Sequence, residues 1–563
     1  MPRELGIQLK ATWEKLKADR AQLESLWDDI AFYTTPKDTD LVTKYNQDDP
    51  GANTPQTTVG IEANRVLASG LFSNTFSLMD PWFSLRSSEA ALNELDPVKR
   101  WFARSSKTVL TEINNSNFPE VLHEVLLRLC SLCTDVLSIE YRAGRIQFAS
   151  YPITLCCLAE DPYGQVDTVY RRFEYTARQA VARWGDGENM PNEIKVAAKD
   201  RGRAATRFPF IQSVYPREGV DLRRNARQKK DNKPFASIYF YEQGGDIVEE
   251  GGYDDFPYAA VRFTKTDGTP YGRGPGFDAL AALRSLNRKE KDFDDATELS
   301  ATPPMFLPYG TDASQIDMRP GAVNPVLNPA NPTPVFADVR TNFQVLWQSK
   351  EGTEQQIRNL FFNSLFNNLG QLTGSNRMTA TEVDARVDEK IQLLMPVANR
   401  LQTELYKRVV ERSLALLIAA GKIEAPPQQV IAKPGYTIEY TSRLVSKMKD
   451  IETNRLAEGL QLCINVETGI NAGQCATITK VADLVKCERQ ILENKGVSPD
   501  LIRSDDAITK MVEDEQAQQQ QAAAAQAAVE KLKPIDLQKA PEQGSMMGDQ
   551  GNAAQQMGVA ANA

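Results

Sequence analysis

Apolar residues between Val345 and Gly421 fall into two helical series separated by a polar interval. Ile357, Leu360, Phe361, Leu365, Phe366 and Leu369 recur at the spacings of one helix face, and Gly370 ends that series. A second helix is predicted to start at Thr379, because Glu382 three residues later completes the reciprocal pair that satisfies orphan amides, with Met378 and Val383 at the flanking staple positions. Val383, Val387, Ile391, Leu394, Leu401, Leu405 and Val409 carry its apolar face to about Ala419, a length of roughly 60 Å at the rise of an α-helix. Pro396 lies inside it and predicts a kink. The interval between the two helices, GQLTGSNR, has only Leu372 as an apolar anchor. Taken alone, this stretch reads as a helical hairpin in an all-α scaffold.

The remainder of the chain changes that reading. Leu9, Trp13, Leu16, Leu23, Trp27 and Ile30 mark an N-terminal helix closed by Pro36, and further helical patterns run from Gly60 to a stop at Asp80 and Pro81, from about Leu95 to Asn114, and from Pro119 to Cys133. The period then switches to two. VLSIEY, IQFAS, YPITLCCLAE and QVDTVYRRFEY read as strands, with a type I turn at Asp161-Pro162-Tyr163-Gly164. A short helix over Ala177–Trp184 leads to a second block of strands, FPFIQSVYPRE, FASIYFYEQ, DIVEEGGY and YAAVRFTK. Tyr271 to Gly276 is a turn that opens a helix with Leu280, Leu283, Leu286 and Phe293 on one face and charges of both signs from Arg284 to Glu298 on the other. Prolines between Pro303 and Pro334 exclude a long helix there, so the order is helix, compact insertion, helix. After Gly421 come a strand-like YTIEYTS, a helical block from about Val445 to Asn494, a last helix capped at Ser504 and a low-complexity tail.

At 563 residues the chain exceeds what one core supports and should hold several domains. A hydrophobic content of 41% with 25% charged residues is that of an ordinary soluble protein, and the longest apolar run, Leu414 to Ala420, is far too short to span a membrane. The charged N-terminus does not read as a secretory signal. Seven cysteines, with no second CxxC to match Cys130 and Cys133, read as buried thiols of a protein made in a reducing compartment. The single histidine, His123, excludes His-based triads and HExxH zinc sites. No phosphate-binding GxxxxGK[ST] occurs, and YGRGPG lacks the GxGxxG spacing. No catalytic residue, cofactor or metal is therefore expected, although a nuclease built on carboxylates alone would escape this reasoning. The net charge of −9 argues against a surface that grips nucleic acid throughout but permits one that lets it pass. The one concentrated basic run, near Arg223 to Lys233, reads as a solvated hairpin tip.

Several segments in order resemble the portal, or head-to-tail connector, proteins of short-tailed double-stranded DNA phages: WDDIAFYTTP, LASGLFSNTFSLMDPWFSL, VYPRE, GYDDFPY with RFTK, YGRGPG, PPMFLP, LFFNSLFNNL with MTATEV, and GVSPDLIRSDD. The resemblance implies an α+β, mainly α fold assembled as a ring, usually of twelve copies. Its parts would be a wing over residues 1–274, stem helices over 275–301 and 345–369, a clip over 302–344 and a tunnel loop over 370–378. A kinked helix and a strand returning to the wing would follow over 379–444, then crown helices over 445–532 and a disordered tail over 533–563. The implied role is structural: a channel at one capsid vertex through which viral DNA is packaged and ejected, with terminase, capsid or scaffolding, and tail proteins as partners, no membrane, and a place in the virion after assembly in the host cytoplasm. A carboxylate-based DNA-processing enzyme and a tail adaptor ring are the competing readings.

Within that frame the interval after Gly370 becomes the candidate contact with DNA. Its glycines permit movement, Gln371, Thr373, Ser375 and Asn376 offer short polar side chains around Gly374, and Arg377 supplies one cation, which suits weak contact with phosphates without reading sequence. The alternative is a plain connector in which Arg377 pairs with Glu382 or Asp384.

Overall fold

The computed structural model describes residues 2–36, 55–93, 95–217, 233–301, 305–306, 335–336, 342–367, 393–432 and 435–441, with scattered positions between 453 and 511. The chain divides into two units, Met1–Ile502 and Arg503–Ala563, and the elements below belong to the first. It is a mixed structure of helix and strand, mainly helical.

Helix α1 (Pro2–Thr34) joins two layers through its apolar stripe. Leu9 and Trp13 at its start pack with Ile211, Ile238 and Phe240, while Trp27 and Ile30 near its end pack with Val136, Leu158, Val169 and Leu280. Trp13 and Trp27 are fully enclosed, and burying a side chain of that size stabilises the fold by roughly 3 kcal/mol. Helices α2 (Val59–Thr75), α3 (Asp96–Asn114) and α4 (Phe118–Leu132) form the main core with strand β1 (Phe83–Ser87). Proline occupies the first turn of both α3 and α4, where its missing N–H costs nothing.

Strands β2 (Thr134–Arg142) and β3 (Arg145–Pro152) pair as a hairpin whose two-residue turn, Ala143 at φ 49° and Gly144 at φ 80°, matches the strand twist. A 3-10 turn at Ile153–Leu155 then separates β3 from β4 (Cys156–Glu160), so YPITLCCLAE is two strands around a corner and not one strand. β4, β5 (Val166–Thr176), β6 (Arg207–Pro216), β7 (Phe235–Tyr241) and β8 (Ile247–Tyr253) make an antiparallel sheet in sequence order, and β9 (Tyr258–Arg262) returns to pair with β2. The turn between β4 and β5 closes as expected: Gly164 N donates to Asp161 O at 2.9 Å, and the Asp161 carboxylate accepts from Tyr163 N and Gln165 N. Helix α5 (Ala177–Trp184) opens with a capping box, Thr176 and Gln179 bonding reciprocally. Helix α6 (Asn192–Lys199) was not foreseen, because it is short and Ile194 and Ala197 are the residues it buries. Of the basic run near Arg223 to Lys233, only Lys233 is described, paired with Asp254 at 2.7 Å, and Arg217 N bonds to Pro234 O across its base.

Helix α7 (Pro275–Ala301) follows the expected bounds, but α8 (Phe343–Leu360) does not. It begins with Asn342 as cap, its side chain accepting from Val345 N at 3.3 Å, and it ends nine residues short of Leu369. Phe362 adopts a left-handed φ of 56°, and a new short helix runs over Asn363–Asn367. The apolar spacing continues across this break because both pieces face one core: Phe361 is fully buried and Phe366 lies against Gly70. Residues 393–400 are helical and include Pro396; a π-helical turn at Leu401–Tyr406 follows and continues into α9 (Lys407–Ala419). Residue 392, whose carbonyl Pro396 would displace to make the expected kink, lies outside the described residues, as do Thr379 and Glu382. Strand β10 (Tyr436–Tyr440) pairs antiparallel with β1, Leu85 opposite Ile438.

Candidate functional site

The expected DNA-contacting residues Gln371, Thr373, Gly374, Ser375, Asn376 and Arg377 lie outside the described residues, so the site is built from the elements on either side. On the near side, α7 and α8 run antiparallel. Leu286 and Ile357 are fully buried at the root of the pair. One level out, Lys289 Nζ donates to Thr353 Oγ1 at 2.7 Å and to Ser349 O at 3.2 Å, and Lys350 pairs with Glu290 at 2.7 Å. At the far end Phe293 meets Phe343 and Trp347 edge-on or tilted, with Lys350 Nζ 5.6 Å from the Phe293 ring centre. The root of α7 is pinned by a close approach. A Cβ on Gly276 would lie 1.9 Å from Ser131 O at the end of α4, so the helix seats there only with glycine.

On the far side, the helix at 393–419 is tied to the strands by a buried charge cluster. Arg262, at the end of β9 and 3% exposed, donates from its backbone N–H to Glu404 Oε2 at 2.9 Å and from its guanidinium to Glu404 Oε1 at 2.7 Å. The same guanidinium bonds Glu160 at the end of β4 and Gly164 O in the turn beyond it. Lys265 completes the set against Glu160 and Gly164 O, and Arg400 donates to Glu404 at 3.1 Å. Burial opposes the charge on Arg262, but hydrogen bonds and charge from Glu404 and Glu160 outweigh it and raise its pKa, so the cluster is held as ion pairs.

Glu404 sits inside the π-helical turn, an irregularity that costs helix regularity and often marks a site with a task. There the Lys407 N–H bonds to Gln402 O, and the Tyr440 hydroxyl from β10 donates to that same carbonyl at 3.0 Å. Tyr406, fully enclosed, shares a 2.7 Å hydrogen bond with Thr75 and packs on Trp82. Leu394, Val397, Leu401 and Leu405 belong to the core cluster that also holds Ile357 and Phe361. Residues on both sides of the 368–392 segment thus pack into one core. Arg262 and Glu404 are 142 positions apart, and nothing local in the sequence signals their pairing.

Little of this arrangement suits covalent chemistry. Among the described residues no group of three or more His, Cys, Asp and Glu side chains is placed to hold a metal ion. The thiols of Cys130, Cys133, Cys156 and Cys157 are buried, which pushes the last three up to about 12 and Cys130 well above its ordinary value, so they are protonated and inert. His123 is half-buried on α4 with its ring edge-on to Phe72.

The sequence matches the family model described as bacteriophage head to tail connecting protein over residues 7–502. The chain belongs to that family. Similar relatives of this family member include a probable portal protein of Bordetella phage BPP-1, 28% identical over 459 residues, and the portal protein of Salmonella phage epsilon15, 27% identical over 452, each match covering 79% of this chain and 80% of the relative. The portal protein of Enterobacteria phage T3 is 24% identical over 447 residues, 75% of this chain and 76% of its own.

Proposed function

We propose that the chain is a structural portal protein, the subunit of a ring at one capsid vertex through which double-stranded DNA is packaged and later ejected. The match to the connector family over residues 7–502 carries this reading, and the coverage of portal proteins from several phages supports it. In this proposal residues 275–301 and 345–369 are the stem, 302–344 the clip, 370–378 the tunnel loop, 379–444 the kinked helix and the strand returning to the wing, 445–532 the crown, and 1–274 the wing. Twelve copies form the ring, which docks the terminase motor and then the tail, with capsid or scaffolding proteins around it and no catalytic step of its own.

The packing on either side of the 368–392 segment supports a loop held at a fixed depth while its own residues move past DNA, touching phosphates through Gln371, Thr373, Ser375, Asn376 and Arg377. Negative-stain images of the purified chain should show rings with a central hole, and the same preparation should hydrolyse neither ATP nor DNA. Turnover that survives repeated purification would overturn the structural reading. Arg377→Ala and Gly374→Pro should leave capsids normal while shortening the packaged DNA or its retention; full genomes packaged at the normal rate by both would reduce the loop to a connector.

A further inference from the structure

One end of the five-stranded sheet, where β5 stops and β6 starts, gathers cations that the fold does not use. Residues 195–207 hold Lys195, Lys199, Arg201, Arg203 and Arg207 against one acid, Asp200, in a chain whose net charge is −9. The segment after α6 folds back on itself, with Arg203 N and Ala204 N bonding to Asp200 O at 3.0 and 2.8 Å. It then lies along the start of α5, where Arg178 N donates to Ala204 O at 3.3 Å and Ala177 N to Thr206 O at 3.0 Å. Arg178 therefore joins the group. Arg178, Lys199, Arg201, Arg203 and Arg207 are all exposed, and none has a side-chain hydrogen bond or ion pair among the described residues. The Asp200 carboxylate accepts from Gly202 N at 3.0 Å, a bond inside its own turn.

Other arginines of the same sheet are paired, Arg172 with Glu242 at 2.8 Å and Arg217 with Glu250 at 3.2 Å. Position sharpens the contrast. Arg178 stands in the first turn of α5, which carries no acid, so it adds positive charge to the helix end that is already positive. Such crowding destabilises the subunit alone and is relieved by a dense anion. Between Lys199 and Arg207 the other side chains are Asp200, Gly202, Ala204, Ala205 and Thr206, so the patch lacks the aromatic or long aliphatic anchor that dominates protein interfaces. Guanidinium groups donate in pairs to phosphate, which suits them to a nucleic-acid backbone. Beneath the patch, Ala177, Ala180, Ile194 and Ala197 pack with Phe208, Phe210 and Tyr241, a cluster separate from the core that holds Leu286 and Ile357.

We propose that Arg178, Arg201, Arg203 and Arg207 bind the phosphate backbone of double-stranded DNA lying outside any channel, without reading its sequence. This contact goes beyond the portal reading and does not need it. The test uses the full chain and a covalently closed circular plasmid, which cannot be threaded through a ring, with binding followed as salt is raised. Each phosphate contact contributes about 0.9 to the slope of log affinity against log salt, so Arg178→Gln, Arg201→Gln, Arg203→Gln and Arg207→Gln together should make it shallower by about 3 to 4. Lysine at the same four positions should keep the slope, which separates lost charge from lost structure. Arg201→Gln or Arg203→Gln alone should make it shallower by about one, and these single changes decide the matter if the combined variant does not fold. An unmodified chain that binds no closed circles, or a slope unchanged in the glutamine variants, would overturn the proposal. Polyglutamate bound in place of the plasmid would assign the patch to an acidic protein and overturn it equally. None of these outcomes bears on the portal reading, which the ring images test separately.

Discussion

Glu404 accepts three kinds of donor from Arg262 and Arg400, and removing it leaves a guanidinium buried with half its partners gone. Breaking a buried pair from one side costs about 3–5 kcal/mol. Glu404→Ala should lower unfolding free energy by about that amount in denaturant titration, while Glu404→Ala combined with Arg262→Met should recover part of it. The thiols make a prediction about pH. Cys133, Cys156 and Cys157 have folded pKa values near 12 against an ordinary value of 9.0, because burial favours the neutral form. A group whose pKa is raised on folding contributes stability that is complete below the unfolded value and lost as pH rises through the folded one. The protein should therefore lose stability between pH 9 and 12, and in the native state at pH 8 these thiols should resist a disulfide reagent that labels them promptly in guanidinium.

At the scale of elements, the placing of α7 depends on a helix start that tolerates no side chain. Gly276→Ala drives a Cβ into the Ser131 carbonyl, and such overpacking costs about 1–3 kcal/mol. The expected outcome is a lower melting temperature with α7's own helicity unaffected, and circular dichroism with thermal melts checks both. The turn over Tyr271 to Gly276 and the Leu280, Leu283, Leu286 series made this helix legible, since both are local signals. The break at Phe361 and Phe362 was not legible. Periodicity reports which residues seek the core and not whether the backbone is continuous between them, and here a left-handed Phe362 keeps Phe361 and Phe366 on that core across two helices.

For the whole molecule, the first unit ends at Ile502, the residue at which the family match also ends. A chain stopped after Ile502 should keep its cooperative thermal transition within a few degrees of the full-length protein, measured by calorimetry. A large loss would mean that residues 503–563 stabilise the first unit.

By itself, the sequence determined what is local: the helical and strand periods, the Asp161 turn, and an order of segments specific enough to resemble one family. Tertiary structure alone decided that β10 pairs with β1, that Arg262 finds Glu404, and that the helix carrying Glu404 widens into a π turn whose Gln402 carbonyl accepts from both Lys407 and Tyr440. The physical reason is range. Capping and periodicity are set by residues within a few positions of each other, whereas a buried ion pair or a ladder between distant strands is chosen by whatever the folded core brings together.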